Sequence, residues 1–355
     1  MDIRNEFNDL LLEIEAEMES VISEQDGHAR PLYEMLSYHL GLDQVGGSRG
    51  KRMRPLLGLL AFKALGGDYQ RTLPAAAAVE LGHNFSLVHD DIEDSDRERR
   101  HRPTLWAIWG VPLAINAGDA LFALSRLALY RLMKDDKYEP QRLLDVMKVY
   151  DETCLALCEG QYLDISFETR TDVTVDEYME MIGKKTAALI SASIETGAMM
   201  ASDDPAVVDA FRRFGYDLGI AFQIVDDLKG SFWTSAESGK AEAGDIRKRK
   251  KTLPVVWALQ HAGAADRAQL ISIYQPSIRA TDGSLPPDGD VQMSADEIAT
   301  VLEILERCGA RAHVESEALR YRTLILGSAA SLPVAPEQLD ALGELRTLVE
   351  SVIAT

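Results

Sequence analysis

Residues 81–94 read LGHNFSLVHDDIED and carry three aspartates, Asp90, Asp91 and Asp94, at positions i, i+1 and i+4. On a helix with about 100° per residue, Asp90 and Asp94 lie about 40° apart around the axis and about 6 Å apart along it. Two carboxylates this close repel each other unless a cation lies between them. Mg²⁺ prefers such oxygen ligands and often binds substrate phosphates as well. The motif therefore indicates either a magnesium site or a solvated acidic helix face, and it does not decide between them alone.

A second acidic pair, Asp226 and Asp227, lies in residues 216–230, which read YDLGIAFQIVDDLKG. Gln223 precedes the pair by three and four residues and therefore shares its helix face. The neighbouring residues are mostly apolar, and acids are costly to bury in such a helix without a counter-cation. This pattern favours a metal-binding face over a solvated one. Two acidic faces of this kind can line one cavity and hold several metal ions on one polyphosphate.

Three clusters of basic residues accompany the acidic motifs. They consist of Arg49, Lys51, Arg52 and Arg54; of Arg97, Arg99, Arg100 and Arg102; and of Arg247, Lys248, Arg249, Lys250 and Lys251. Glycine permits close backbone approach to a ligand, and guanidinium groups match phosphate oxygens in pairs. Lys185 is a further candidate because it lies on an apolar helix stripe. The clusters indicate phosphate binding, although each one alone is also compatible with a solvated basic face.

Helical periodicity extends along the whole chain, and strand patterns are nearly absent. The pattern predicts helices over 3–25, 55–65, 73–94, 111–133, 140–168, 174–201, 205–230, 253–262, 294–325 and 335–354. Thr174 with Glu177 and Ser294 with Glu297 match the capping box that begins a helix. We expect one all-α domain over residues 1–355, with residues 276–293 as a surface loop.

The composition limits the possible partners. The chain has 355 residues and a formal net charge of −20, which argues against binding to nucleic acid. Three cysteines cannot form a disulfide framework, and neither a signal peptide nor an uninterrupted apolar stretch of about 18 residues is evident. We therefore expect a cytoplasmic protein without a membrane span. Small anionic ligands remain possible, because the three basic clusters reverse the sign of the charge locally.

Ten motifs in order resemble those of the trans-isoprenyl diphosphate synthases, the polyprenyl synthetase family. They are GKRMRP at 50–55, ELGH at 80–83, DDIED at 90–94, RRHRPT at 99–104, NAGDALFA at 116–123, GQYLDI at 160–165, KKTAALI at 184–190, GIAFQIVDD at 219–227, GK at 239–240 and KKTLP at 250–254. The resemblance implies an all-α, isoprenoid-synthase-type helical bundle around a central cavity, which usually forms a homodimer.

The resemblance also implies an activity, the Mg²⁺-dependent condensation of isopentenyl diphosphate with dimethylallyl, geranyl or farnesyl diphosphate. Asp90 and Asp94 would bind two Mg²⁺ ions and Asp226 would help to bind a third, while Asp91 and Lys185 complete the catalytic set. Lys185 would also bind the allylic diphosphate, together with Arg99, Thr186, Gln223 and Lys240. Isopentenyl diphosphate would be bound by Lys51, Arg54, His83 and Arg100.

The sequence departs from the family pattern at two places. The second motif reads DDLKG, with Lys229 and Gly230, where most members have DDxxD, and His101 takes the place of a glycine. Because altered second motifs also occur in class I terpene cyclases, a cyclase on the same fold remains an alternative. A non-catalytic subunit that modulates a partner synthase is a third hypothesis.

The product length is indicated by the residues that precede the first motif. Phe85 stands at the fifth position before it and the small Ser86 at the fourth. An aromatic residue at the fifth position alone resembles the twenty-carbon synthases, so we predict geranylgeranyl diphosphate as the main product. A farnesyl diphosphate synthase is the alternative.

Overall fold

The computed structural model describes residues 3–23, 27–43, 49–233, 243–275 and 293–354. Of the loop predicted at 276–293 only Met293 belongs to these residues, and the predicted ligand Lys240 also lies outside them. The described residues are predominantly helical, which confirms the predicted all-α fold class. None of the described helices combines the length and the apolar character that a membrane span requires.

The first half of the chain forms helices and one short hairpin. The helices are α1 (Ile3–Glu6), α2 (Asn8–Ser23), α3 (Arg30–Leu40), α4 (Met53–Ala64), α5 (Leu73–Glu93), α6 (Leu105–Trp109), α7 (Val111–Tyr130) and α8 (Pro140–Glu168). Short 3₁₀ turns lie at Tyr69–Thr72 and Arg131–Lys134. Strands β1 (Glu98–Arg99) and β2 (Arg102–Pro103) pair in antiparallel fashion directly after α5.

The second half of the chain is helical in its described parts. Its helices are α9 (Val175–Ile182), α10 (Ala188–Ala201), α11 (Pro205–Phe232), α12 (Gly244–Arg247), α13 (Leu253–His261), α14 (Ala264–Tyr274), α15 (Ala295–Arg307), α16 (Ala310–Ala330) and α17 (Leu339–Val352). A π-helical turn at Gly183–Ala187 joins α9 to α10, and a 3₁₀ turn at Pro336–Gln338 precedes α17.

The first of two compact units comprises Met1–Cys154, Leu189–Gly215 and Ser331–Ser351. Its core is built around α5, which has a proline in its first turn and four alanines at positions 75–78. Proline suits a first helical turn and alanine has the highest helix propensity. The small side chains allow α5 to pack against α2, α4 and α7. This packing fixes the last turn of α5, which carries the first acidic motif.

The second compact unit comprises Leu155–Ala188, Tyr216–Ala330 and Val352–Thr355. One apolar cluster joins α9, α11, α13 and α16, and another joins α12, α13, α14 and α15. The predicted capping boxes at Thr174 and Ser294 are both confirmed, and they begin α9 and α15.

Several predicted helices are divided in the structure. The prediction over 3–25 is interrupted between α1 and α2, and the prediction over 294–325 is broken at Gly309, which has a φ of +76°. The prediction over 174–201 contains the π-helical turn. The sequence prediction misses helix α3, although Met35, Leu36 and Leu40 form a buried face on it.

Candidate active site

The last turn of α5 gives the three motif aspartates different surroundings. The N–H of Asp94 donates to the carbonyl oxygen of Asp90 at 2.8 Å, so these residues are one helical turn apart. Asp90 is half-buried and Asp94 is exposed, whereas Asp91 is 2% exposed. Oδ1 of Asp91 accepts a 2.7 Å hydrogen bond from Nε of Arg99, and burial raises the pKa of Asp91 to about 6. Asp90 and Asp94 therefore share one helix face, while Asp91 holds Arg99 in place through a hydrogen bond.

The hairpin after α5 presents Arg99 and Arg100 beside this motif. Its two strands leave Arg100 and His101 as the turn, and both residues have positive φ, 54° and 62°. This combination belongs to a type I′ turn, which normally favours Asn-Gly. His101 therefore keeps the backbone geometry of the expected glycine at a cost of about 1 kcal/mol. Arg102 fastens the base of the hairpin through hydrogen bonds of 3.0 and 2.8 Å to the carboxylate of Asp43.

Three of the four residues predicted to bind isopentenyl diphosphate, Arg54, His83 and Arg100, lie together in the first unit. Nη1 of Arg54 lies 3.1 Å from Nε2 of His83. Burial, with the charges of Arg54 and Arg100, holds the pKa of His83 well below its usual range, so the neutral ring accepts this bond. Burial lowers the pKa of Arg54 to about 10, which leaves it cationic at neutral pH. Its buried Nε has no hydrogen-bond partner among the described residues.

The absence of a side chain at Gly50 leaves space for Arg100 beside this group. Gly50 has a φ of +69°, and a Cβ atom placed on it would lie 2.7 Å from Cζ of Arg100. The guanidinium group of Arg100 therefore occupies the space that a larger residue would fill. Lys51 follows directly and is exposed.

The other two cations of the first basic cluster are neutralised inside the protein. Arg52 is 2% exposed, and it donates to Glu80 at 2.8 Å, to Glu15 at 3.4 Å and to the carbonyl oxygen of Leu40. Arg49 donates to the same Glu15 at 2.7 Å. Buried charges are tolerated when they are paired in this way. Arg49 and Arg52 therefore hold α2 and α5 to the segment that precedes α4 and are not candidates for ligand binding.

The π-helical turn of the second unit carries Lys185 and Thr186. Nζ of Lys185 donates to Asp164 at 2.6 Å, and the hydroxyl of Thr186 donates to Oε1 of Gln223 at 2.8 Å. Such turns are frequent at functional sites. Three of the predicted ligands of the allylic diphosphate, on the π-helical turn and on α11, are thus brought together here.

The two acids of the second pair have different surroundings. Asp227 is 1% exposed and accepts hydrogen bonds from Nε2 of Gln223 at 2.9 Å, from the backbone N–H of Leu253 at 2.9 Å and from the hydroxyl of Tyr178. Burial raises the pKa of Asp227 to about 6. Asp226 is half-buried. Asp227 therefore links α9, α11 and α13, and Asp226 is the candidate metal ligand of the pair.

Lys250 is a candidate site residue whose surroundings no sequence pattern reveals. Burial alone would lower its pKa, but the carboxylates of Asp164, Asp245, Asp227 and Asp226 outweigh burial and raise the pKa above its usual range. Lys250 is therefore a firmly charged cation close to the predicted ligands of the second unit. Its membership of the third basic cluster and of the KKTLP motif is the only sequence signal for this position.

The altered end of the second motif has a structural explanation. A Cβ atom on Gly230 would overlap the carboxylate of Asp245, so Asp245 fills the space beside this position. Nζ of Lys229 donates to the carbonyl oxygen of Ala354 at 2.7 Å and lies 4.8 Å from the centre of the Trp233 ring. The glycine thus accommodates a carboxylate that comes from elsewhere in the chain.

The two positions predicted to control product length lie one turn before the first motif. Phe85 is 9% exposed, and its ring centre lies 5.2 Å from that of Phe122 on α7 and 6.0 Å from that of His89. Ser86 is half-buried, and its hydroxyl donates to the carbonyl oxygen of His83 at 2.8 Å. Phe85 is therefore held in a fixed orientation by aromatic neighbours.

The carboxylates of each unit fit magnesium that binds together with a diphosphate. Within the described ranges, no three side chains of His, Cys, Asp and Glu are gathered closely enough to hold a metal ion by themselves. Mg²⁺ usually keeps several waters and binds to one or two carboxylates and to substrate phosphates. Asp90 with Asp94 in the first unit, and Asp226 in the second, are ligands of this kind.

Comparison with known proteins gives consistent matches. Residues 33–284 match the family model described as polyprenyl synthetase. The chain is 40% identical over 303 residues to a (2E,6E)-farnesyl diphosphate synthase of Mycobacterium tuberculosis, a match that covers 84% of this chain and 79% of the relative. It is 43% identical over 250 residues to a geranylgeranyl diphosphate synthase of the same organism, with 69% and 70% covered. A geranylgeranyl pyrophosphate synthetase structure from Pyrococcus horikoshii aligns with a TM-score of 0.85 at 31% identity and covers 100% of this chain and 98% of that one.

Proposed function

The chain belongs to the polyprenyl synthetase family, and from this premise we propose that it makes geranylgeranyl diphosphate in a Mg²⁺-dependent reaction. It is a prenyltransferase of the short-chain trans-isoprenyl diphosphate synthase type. The proposed substrates are isopentenyl diphosphate and an allylic diphosphate, either dimethylallyl, geranyl or farnesyl diphosphate.

The observation that carries this proposal is the cationic group around Arg54. The buried guanidinium of Arg54 donates to a neutral histidine, which does not neutralise its charge. A second guanidinium, that of Arg100, adds to this charge, while the carboxylate of Glu80 offsets part of it. Such a group favours an anionic ligand such as a diphosphate. We assign isopentenyl diphosphate to Lys51, Arg54, His83 and Arg100.

The allylic diphosphate is assigned to a second set of residues. In this assignment Arg99, Lys185, Thr186, Gln223 and Lys240 bind its oxygens, and Lys250 is added because of its charge and its carboxylate neighbours. Asp90 and Asp94 would hold two Mg²⁺ ions and Asp226 would help to hold a third. When bound, these ions would neutralise the charge that develops on the departing diphosphate.

The chain's own residues then have three tasks in the reaction. The basic residues orient the two substrates so that the C–C bond forms as the allylic C–O bond breaks. Apolar side chains around Phe85 exclude water from the allylic cation. The proton lost from the isopentenyl unit is assigned to the released diphosphate, so no side-chain nucleophile is required.

The proposed product length rests on Phe85. Relatives named as farnesyl and as geranylgeranyl diphosphate synthases both match this chain, so the family does not choose between fifteen and twenty carbons. Phe85 lies about one turn before Asp90 and is braced by Phe122. A rigid ring at this depth supports a floor that stops the chain at twenty carbons, with farnesyl diphosphate as the alternative product.

A homodimer is proposed as the working assembly. Large apolar side chains at the junction of α6 and α7 are exposed, among them Ile108, Trp109, Val111, Leu113 and Ile115. Exposed apolar patches of this kind mark interaction surfaces. Size-exclusion chromatography with light scattering tests the proposal, and a monomer at micromolar concentration would refute it. A cytoplasmic location remains a prediction from composition.

The experiment that tests the function compares three reaction mixtures. Purified protein with Mg²⁺ receives isopentenyl diphosphate alone, an allylic diphosphate alone, or both, and the products are separated by chromatography. Longer diphosphates formed only from both substrates support the synthase. A hydrocarbon or alcohol from the allylic substrate alone would identify a terpene cyclase, and no product in any mixture would favour a non-catalytic subunit.

A further inference from the structure

We propose that His39 is a positioning residue that acts through one buried water on the carboxylate of Asp91 and thereby orients Arg99. The inference rests on the proposed function only in assigning a diphosphate to Arg99. It concerns a residue that belongs to none of the motifs described above.

His39 and Asp91 of the first unit line the same small cavity, and each carries a buried polar atom. These atoms are Nε2 of His39 and Oδ2 of Asp91, and neither has a hydrogen-bond partner among the described residues. Asp91 is 2% exposed, so bulk water does not reach its carboxylate freely. Buried polar atoms in folded proteins nearly always have a partner, either in the protein or in an ordered water.

The size of the cavity fits one water molecule. Its volume is about 20 Å³, and a cavity needs roughly 10–15 Å³ to hold a water. Arg99, Arg100 and Thr104 also line the cavity and supply further polar groups for a bound water.

The two sides of the cavity are fixed to each other. The hydroxyl of Tyr38 donates to the carbonyl oxygen of Pro103 at 3.0 Å, and Arg102 donates to the carbonyl oxygen of Tyr38 at 3.1 Å. The guanidinium carbon of Arg102 also lies 3.8 Å from the centre of the Tyr38 ring. These contacts hold the end of α3, and therefore His39, against the hairpin that carries Arg99.

The protonation state of His39 suits this role. Burial, followed by the charges of Arg100, Arg99 and Arg52, lowers its pKa to about 3, while the nearby side chain of Asn84 acts in the opposite direction. The ring is therefore neutral at physiological pH. A neutral Nε2 can either accept from a water or donate to it, depending on the tautomer. Oδ2 of Asp91, the oxygen that is not bonded to Arg99, can accept from the same water.

The consequence concerns Arg99. Oδ1 of Asp91 accepts from Nε of Arg99 at 2.7 Å, so rotation of the carboxylate would change the direction of the guanidinium group. A water held by His39 on the opposite oxygen stops this rotation. Arg99 then keeps its terminal nitrogens in one orientation for a diphosphate, which reduces the entropy that binding costs.

The test compares His39→Leu, which removes the polar atom, with His39→Gln, which keeps an amide at a similar reach. The exposed His28→Leu is the control for loss of a histidine. Calorimetry measures the Kd for inorganic pyrophosphate with Mg²⁺, and thermal unfolding monitors the fold. We expect His39→Leu to raise this Kd about tenfold, the worth of one hydrogen bond, with His39→Gln within about threefold of the wild type.

A high-resolution crystal structure of the wild type supplies the second readout. It should show a water within about 2.7–3.2 Å of both atoms. No water there, or equal Kd values for the wild type and His39→Leu, would overturn the proposal. An equal loss in His39→Gln and His39→Leu with unchanged unfolding would do the same. If His39→Leu fails to fold, the electron density at the water position and the pyrophosphate Kd of His39→Gln still test the proposal. A protein that binds pyrophosphate and shows the water, but elongates no substrate, would refute only the proposed function.

Discussion

Replacement of Gly50 by alanine is expected to weaken the binding of isopentenyl diphosphate while the protein remains folded. Gly50 has a φ of +69°, and the new Cβ would lie 2.7 Å from Cζ and Nη1 of Arg100 and 2.8 Å from its Nη2. Ordinary contacts at a Cβ atom lie at 3.4–4 Å. The guanidinium group is the far end of a flexible side chain, and it must therefore move by roughly 0.7 Å or more to restore an ordinary contact.

The expected magnitude follows from the hydrogen bonds that Arg100 is proposed to donate to isopentenyl diphosphate, which this movement would break. A hydrogen bond to a charged group contributes about 1.5–3 kcal/mol, which corresponds to about a ten- to hundredfold change in affinity. The KM for isopentenyl diphosphate should rise by this factor. The KM for the allylic diphosphate should change by less than about threefold, because Arg100 is assigned to the other substrate.

Gly309→Ala is the matched control for the backbone. Gly309 has a φ of +76° and no neighbouring atom within 4 Å of the new Cβ. Both variants carry the cost of a left-handed alanine, about 1 kcal/mol, but only Gly50→Ala displaces a guanidinium group. Steady-state kinetics with each substrate varied in turn, and thermal unfolding of both variants, provide the measurements. Equal KM values for isopentenyl diphosphate in the two variants would refute the role of Arg100.

Four further predictions concern separate parts of the molecule. Asp90→Ala should abolish Mg²⁺-dependent turnover without loss of helical circular dichroism, and retained activity would overturn the metal assignment. Phe85→Ala should lengthen the product beyond twenty carbons in chromatographic analysis, whereas an unchanged product would mean that another helix forms the floor. Gly230→Ala should lower the melting temperature, by the equivalent of about 1–3 kcal/mol, because its Cβ displaces the carboxylate of Asp245; an unchanged melting temperature would contradict this contact. The folded-state pKa of His39, about 3, lies below its unfolded value near 6.5, so the unfolded chain takes up the proton first as the pH falls. The unfolding free energy of the wild type, compared with that of His39→Gln, should therefore fall by about 1.4 kcal/mol for each pH unit below pH 6.5. Urea titrations of both proteins at several pH values measure this difference. If the two free energies change with pH in parallel, His39 is not buried in its neutral form.

The features that the sequence predicts correctly depend on local signals. The helix predicted over 140–168 is α8 (Pro140–Glu168), and α5 ends within one residue of its predicted end. Both capping boxes are confirmed, because each needs only a hydroxyl and a carboxylate three residues apart. The family resemblance is likewise confirmed by the match over residues 33–284.

The roles of individual charged residues depend on distant partners and could not be predicted. Arg52 looks like its neighbours in the basic cluster, but it is bound to Glu15 and Glu80, which lie 37 and 28 residues away. Asp227 looks like Asp226, yet its partners include the backbone of Leu253. No local pattern separates a charge that binds a ligand from a charge that is paired inside the fold.

The departures from the family pattern also become clear only in three dimensions. His101 keeps a turn that favours glycine, since hairpin pairing requires a positive φ there. Gly230 lies against Asp245, fifteen positions later, so the loss of an acid at one position coincides with a carboxylate from another. The sequence alone shows where the chain differs from the family pattern, whereas the structure shows which neighbouring groups occupy the space at those positions.

The central claim, that this chain joins an isopentenyl unit to an allylic diphosphate, is tested most directly by isotope incorporation. Purified protein is incubated with Mg²⁺, farnesyl diphosphate and ¹³C-labelled isopentenyl diphosphate, and the prenyl diphosphates are analysed by mass spectrometry. We predict a twenty-carbon diphosphate that carries the label of one isopentenyl unit. A parallel mixture contains geranyl diphosphate in place of farnesyl diphosphate. Unchanged allylic substrate in both mixtures, or an unlabelled hydrocarbon as the only product, would contradict the claim.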